Sequence, residues 1–332
     1  MININEETFC YLTVPPSGCK KKKSCGFCVY AGTGVPGLKI DDQWQEAVAR
    51  RVNQSVAGDA KVLFITNDGN MFHPAEMHPR TILEDVPTAV ANSPACNALE
   101  FEVGVEYLLL DSTWEKLQMI RKNLLGKELR IRVAVEYADD ELLLRHQKEV
   151  TMRDIDAAVS RLSSSGIPWI GYAMFGGVEM TSEETEQAAV QTGKFIIDRG
   201  AIRLALNGLV VSKKMEEHLQ TGRKIYVPTM ENLLVVLKAL TDHQISQNRQ
   251  TPIKVGLDEV EDAERRLHVV EYPYGIPIAD PQEGKRLMGI LSDFDRRQVF
   301  ETFLTGVIQN LARENVLKCV RRDLPTEDRR NS

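Results

Sequence analysis

The chain has no apolar run approaching the roughly 18 residues that a bilayer-crossing helix needs. Its start, Met1-Ile2-Asn3-Ile4-Asn5-Glu6-Glu7, has neither the basic residues nor the apolar stretch of a secretory signal. Both absences predict a cytoplasmic protein with no membrane partner. A global positive field is missing too: 41 Lys and Arg against 47 Asp and Glu give a formal charge of −6, which argues against a protein that wraps nucleic acid. Basic residues gather only locally, at Lys20 to Lys23 and at Arg321, Arg322, Arg329 and Arg330, where a solvated loop and a terminus account for them. There is no internal repeat and no low-complexity linker, so one large domain with an extension is the simplest division. The chain has 332 residues, 43% of them hydrophobic, enough to bury a substantial core.

Cysteine is scarce and unevenly spread. Three of the six fall within ten residues, Cys19, Cys25 and Cys28, in the pattern C-x5-C-x2-C. A reducing compartment favours thiolates over disulfides, so the cluster points to metal or redox chemistry. Three thiolates are one short of closing a tetrahedral zinc or a four-iron cluster, and they leave one metal corner for another ligand. A zinc site would have to take its remaining ligands from Cys10, Cys96, Cys319, His73 or His78, all distant in sequence. A thioredoxin-like Cys25/Cys28 pair would leave Cys19 unused. On spacing alone these readings stay open.

Short β-branched runs alternate with amphipathic stretches. Strands are predicted near 9–14, 61–65, 98–103, 129–135, 169–175 and 202–206, with helices over 44–56, 109–122, 152–164 and 182–199. Thr151 with Asp154 and Thr181 with Glu184 have the spacing of capping boxes, and Gly166 stops the first of these helices before Pro168. Six alternations predict an α/β fold with a parallel sheet, either doubly wound or a full or partial barrel. Beyond these come a helix at 230–242, strands near 253–255 and 268–271, and a helix over about 295–315. The expected division is a barrel over 1–242 and a C-terminal α+β extension over 243–332 that covers substrate and ends in a disordered tail.

Function in such arrays collects at the C-terminal strand ends. The cysteine loop follows the first strand. The loop after the second, Thr66-Asn67-Asp68-Gly69-Asn70-Met71-Phe72-His73-Pro74, suits close backbone approach to a ligand, and equally an ordinary turn. Glu102 and Glu136 end the third and fourth strands, where acids can accept from ribose hydroxyls or an ammonium group. Lys148 lies twelve residues beyond Glu136, so it can return a positive charge to the same mouth.

Taken together, these residues resemble the radical S-adenosylmethionine (radical SAM) superfamily, nearest to the group with long cysteine spacers that includes the archaeosine-biosynthesis enzymes and the Elongator catalytic subunit. The likeness runs over roughly residues 8–240. It implies a partial (β/α)6 TIM-like barrel in which Cys19, Cys25 and Cys28 hold a [4Fe-4S] cluster and SAM chelates the fourth iron. Phe27 would cover cluster or adenine, and Asn67, Asp68, Gly69 and Asn70 would hold the SAM amino group. Phe101 to Tyr107 is similar to the group's Val-Glu-x-Arg-Pro-Glu-Tyr segment, which brings Glu102 to the cofactor. Glu136 and Lys148 would contact ribose and carboxylate.

The chain also departs from the group: Gly104-Val105 replace its Arg-Pro, and Phe175-Gly176-Gly177-Val178-Glu179 replaces its Lys-Pro-Pro. A substrate other than archaeosine-type tRNA is therefore expected, with Tyr137, Tyr172, Glu179 and Asn207 as candidate contacts. The resemblance implies hydrogen abstraction by a 5′-deoxyadenosyl radical from a small biosynthetic molecule, fed by a reductant such as flavodoxin or ferredoxin. A tRNA-modifying enzyme is the second reading and a zinc-binding module the third.

Overall fold

The computed structural model describes residues 9–14, 40–67, 71–73, 79–208, 222–226, 228 and 230–255. Seven strands form one parallel sheet: β1 (Phe9–Thr13), β2 (Val62–Thr66), β3 (Ala98–Glu102), β4 (Glu128–Glu136), β5 (Trp169–Phe175), β7 (Arg203–Gly208) and β9 (Ile253–Val255). Their order in space is their order in the chain. That order decides between the two architectures left open by the sequence. A doubly wound sheet reverses direction at a switch point, whereas seven strands laid down one after another by right-handed crossovers put every helix on the same face. The sheet then curls toward its uncovered face, giving a partial barrel.

The helices are α1 (Asp42–Val56), α2 (Val86–Asn92) with a π-helical segment Thr81–Asp85 leading into it, α3 (Val105–Leu108), α4 (Asp111–Asn123), α5 (Asp140–Arg145), α6 (Met152–Ser164), α7 (Ser182–Asp198) and α8 (Met230–Ser246). Each longer helix buries one stripe. In α1, Trp44, Val48, Val52 and Val56 recur every fourth residue and are all buried. Asp41 caps this helix by accepting from Trp44 N at 3.1 Å. Both predicted capping boxes form, Thr151 with Asp154 on α6 and Thr181 with Glu184 on α7. Gly166 takes φ +62°, the left-handed conformation that ends a helix.

The stripes meet an apolar sheet face. Leu63, Ile65, Leu99, Phe101, Leu129, Ile131, Val133, Val135, Trp169, Phe175, Leu204 and Leu206 alternate along the strands and join one core with the helices. Packing is tight where α7 crosses: a Cβ on Gly171 would lie 2.6 Å from Ile196, and one on Gly193 2.5 Å from Leu240 of α8. Two short antiparallel strands, β6 (Gly177–Val178) and β8 (Ile225–Tyr226), pair as a separate ribbon beyond the end of β5.

The structure adds detail beyond the expected partial barrel. The barrel sheet holds a seventh strand, because Ile253–Val255 pairs with β7 in the register Leu204↔Ile253, Ala205↔Lys254, Leu206↔Val255. Residue 242 lies within α8, and β9 follows that helix into the sheet. The strand predicted near 268–271 and the helix near 295–315 lie outside the described residues. No helix among the described residues is long and apolar enough to cross a membrane.

Candidate functional site

The other face of the sheet is polar. By alternation it carries Phe64, Glu100, Glu102, Arg130, Arg132, Glu136, Tyr172, Arg203, Asn207 and Lys254. At its centre Glu100 and Arg132 are both fully buried, with Arg132 Nη2 2.6 Å from Glu100 Oε2. The Arg132 guanidinium lies over the Phe64 ring, 3.6 Å from its centroid, and Nη1 donates to the Tyr172 hydroxyl at 2.7 Å. Arg130 adds a second contact to Glu100 at 3.4 Å and pairs with Glu128. Charges this far from water persist only when paired and hydrogen-bonded, so four strands are tied together across the inside of the curl.

Above this network lies the C-terminal end of the sheet. Glu136 closes β4 in an uncommon conformation, φ +61°, at a register shift between Ala134 and Glu136. A non-glycine residue takes the left-handed region at a cost that surrounding contacts must offset. Here the contact is Lys148: both carboxylate oxygens of Glu136 lie 2.6 Å from its Nζ. Lys148 thus reaches back to the exit of β4. Glu102, half-buried, ends β3 on the same face, and Asn67 is fully buried directly after β2. Asn207, near the end of β7, is 9% exposed, and its Oδ1 is buried without a hydrogen-bond partner. Such an orphaned acceptor costs free energy in the free protein and suits a bound donor.

The remaining expected contacts divide. Tyr172 faces the inside and is held by Arg132. Tyr137 lies on the core side: it is fully buried, stacks on His146 at 4.6 Å between centroids, and donates its hydroxyl to Gly176 O at 2.7 Å. Burial pushes its phenol well above the usual range. Glu179 sits at the ribbon with φ +55°, its N–H donating to Lys224 O at 2.8 Å and its Oε1 accepting from Lys224 N at 3.0 Å. Cys19, Cys25, Cys28, Phe27, Asp68, Gly69 and Asn70 lie outside the described residues.

Two features escaped the sequence reading. His146 is buried and neutral, its pKa lowered to about 4 chiefly by desolvation. It sits against Gly177, where a Cβ would come within 2.6 Å of its Nε2 and 2.5 Å of Met180 Sδ. Gly177 is therefore a packing requirement, and Gly176, at φ +103°, a backbone one. The second is the Glu100–Arg132 pair. Charged residues at alternate positions of β3 and β4, within otherwise apolar strands, were the available signal.

Among the described residues no group of three or more His, Cys, Asp or Glu side chains is arranged to hold a metal. Cys96 is buried, donates to Ala98 O at 3.4 Å and has its thiol pushed up by burial, which marks it as structural.

No protein-family model and no curated protein matches the chain. Solved structures do. The fold is that of methylornithine synthase, at 12% identity and a TM-score of 0.52, covering 76% of this chain and 66% of that one. Coproporphyrinogen III oxidase from Escherichia coli, a radical SAM enzyme, matches at 14% identity and a TM-score of 0.49, over 77% of this chain and 56% of that one. Elp3 from the archaeon Methanocaldococcus infernus matches at 16% identity and a TM-score of 0.42, over 60% and 49%. The match thus spans less than two thirds of the length of each of these proteins. Fold and mouth define the class: a curled β/α half-barrel of the architecture found in methylornithine synthase.

Proposed function

We propose that this chain is a radical SAM enzyme acting on a small molecule. The observation that carries the reading is a coincidence of place. In sequence the C-x5-C-x2-C segment comes just after the C-terminal end of β1, and the C-terminal ends of the other strands carry Glu102, the Glu136–Lys148 pair and the orphaned Asn207. Cys19, Cys25 and Cys28 would hold a [4Fe-4S] cluster, and Lys20 to Lys23 would favour their thiolate forms. Bound together, cluster and SAM supply a 5′-deoxyadenosyl radical that takes a hydrogen atom from substrate.

The protein's part is to hold and to shield. Glu136 accepts from ribose hydroxyls, and Lys148 brings its positive charge to a carboxylate. The fixed geometry of the pair, both oxygens at 2.6 Å, suits orientation of a ligand with both groups. Asn207 takes a donor on the molecule that enters the barrel. A net charge of −6 supports a small substrate over tRNA. The electron would come from a flavodoxin- or ferredoxin-type partner.

Anaerobic reconstitution with iron, sulfide, dithionite and SAM tests the reading. Wild type should form 5′-deoxyadenosine, and Cys25→Ala should lose both iron and product. A variant that still yields 5′-deoxyadenosine, or a wild type that loads only zinc, would sink the assignment. Steeply salt-dependent tRNA binding would move the substrate class to RNA.

A further inference from the structure

Two residues outside the proposed ligand contacts fasten the exits of β4 and β5 to each other. His146, just past α5, points Nδ1 at Leu142 O, 2.8 Å away, so this nitrogen is the donor. Nε2 is then the acceptor, and it takes the Val178 N–H at 3.1 Å. The ring stacks on Tyr137, whose hydroxyl donates to Gly176 O at 2.7 Å. Gly176 and Val178 are thus held from one side by two rings of the β4–α6 connection. Val178 in turn pairs with Ile225 across the β6–β8 ribbon.

The same connection carries the mouth pair. Glu136 precedes Tyr137, and Lys148 follows His146 by two residues. Segment 136–148 therefore crosses itself twice, as Glu136–Lys148 on the inner face and as Tyr137–His146 in the core. Little slack separates the two crossings. Glu136 already sits at φ +61°, Tyr137 is fully enclosed, and the Cβ position of Gly177 lies 2.9 Å from the Tyr137 hydroxyl. A movement of Glu136 that turns Tyr137 must displace the ribbon, because close-packed interiors shift between discrete arrangements and do not yield gradually.

We propose that His146 is a positioning residue which couples the Glu136–Lys148 pair to the β6–β8 ribbon, so that a ligand on the pair orders the ribbon and the ribbon sets the ligand's affinity. Linkage makes the two effects equal in free energy. The proposal rests on the reading that this pair holds SAM.

The test uses the full-length, anaerobically reconstituted protein with SAM as the probe. Two quantities are read: the SAM dissociation constant by equilibrium dialysis, and hydrogen exchange at the Val178 amide with and without SAM. In wild type, SAM should slow Val178 exchange about tenfold, inside the usual range of coupling between sites. His146→Phe keeps the stack and removes the acceptor. It should weaken SAM about tenfold and abolish the response of Val178 to SAM, while His146→Gln, whose amide oxygen can accept the same N–H, recovers most of both. A folded His146→Phe protein with wild-type SAM affinity and a wild-type Val178 response overturns the coupling and leaves the enzyme reading intact. A wild type that does not bind SAM overturns the enzyme reading, and the coupling with it. If His146→Phe does not fold, His146→Leu replaces it, since it removes the same acceptor with a side chain smaller than the ring. The same two readings then decide.

Discussion

Along β3, β4 and β5, successive side chains leave the backbone in opposite directions, and the two sets differ in chemistry. Toward the helices stand Leu99, Phe101, Leu129, Ile131, Val133, Val135, Trp169 and Phe175, all in one apolar core. Toward the inside stand Glu100, Glu102, Arg130, Arg132, Glu136 and Tyr172. The outer set removes apolar area from water, each large side chain contributing about 1.5–3 kcal/mol before entropy is subtracted. The inner set cannot be explained that way. A buried ion pair is commonly no more stabilising than apolar residues of the same volume. A protein selected for stability alone would fill the inside of the curl with aliphatic layers, as closed barrels do. The polar interior fits the ligand-binding role proposed for the barrel.

The largest way to break this comparison is to remove one charge. Arg132→Met leaves Glu100 fully buried beside Phe64 with only the more distant Arg130 for company. It should cost about 3–5 kcal/mol, read as a lower denaturation midpoint. The double variant Glu100→Leu/Arg132→Met should regain most of that loss. If the single variant is as stable as wild type, the inner network is not holding the strands, and the contrast between the faces loses its energetic basis.

A second effect comes from the core beside the mouth. His146 has a folded pKa of about 4 against an ordinary value of 6.5. Above pH 6.5 the ring is neutral in both states and its buried environment costs nothing extra. As pH falls from 6.5 toward 4 the unfolded chain takes up a proton and the folded protein does not, so stability is lost across that window. The difference corresponds to about 3 kcal/mol. Urea midpoints measured from pH 7.5 to 4.5 should fall in wild type and fall less in His146→Gln. Parallel curves for the two would show that His146 does not titrate as its burial dictates.

The outer half of the comparison was legible in the sequence because it is periodic. Trp44, Val48, Val52 and Val56 repeat at helical spacing, Trp169 to Phe175 reads as a strand with its observed ends, and Thr151 and Thr181 announce their helices. The Glu136–Lys148 pairing was also within reach, since only a strand exit and a short helix separate the two. Long-range partners were less readable. Nothing local says that Arg132 meets Glu100 across 32 residues or that Val178 donates to His146 across another 32. The strand at 253–255 was foreseen, but its place as the seventh strand of the sheet depends on the curl, which only the strand order fixes. Tyr137 continues the alternation that turns Val135 toward the helices and Glu136 inside, so its place in the core follows the strand period one residue past the end of β4.

The smallest effect separates the faces most sharply, and it concerns Asn207. If its amide belonged to the fold, its oxygen would have a partner, as the buried Thr192 hydroxyl does with Ala188 O at 2.7 Å. An orphaned acceptor costs about 1–3 kcal/mol in the ligand-free state. Asn207→Leu, close to it in size, removes that cost. The cluster-free protein should therefore melt at the wild-type temperature or slightly above it, while turnover of the reconstituted enzyme falls. A loss of more than about 1 kcal/mol would show that the amide supports the sheet and is not kept for a ligand. Unchanged stability with impaired turnover would place Asn207 with Glu136 and Lys148 among the groups for which the interior is held open.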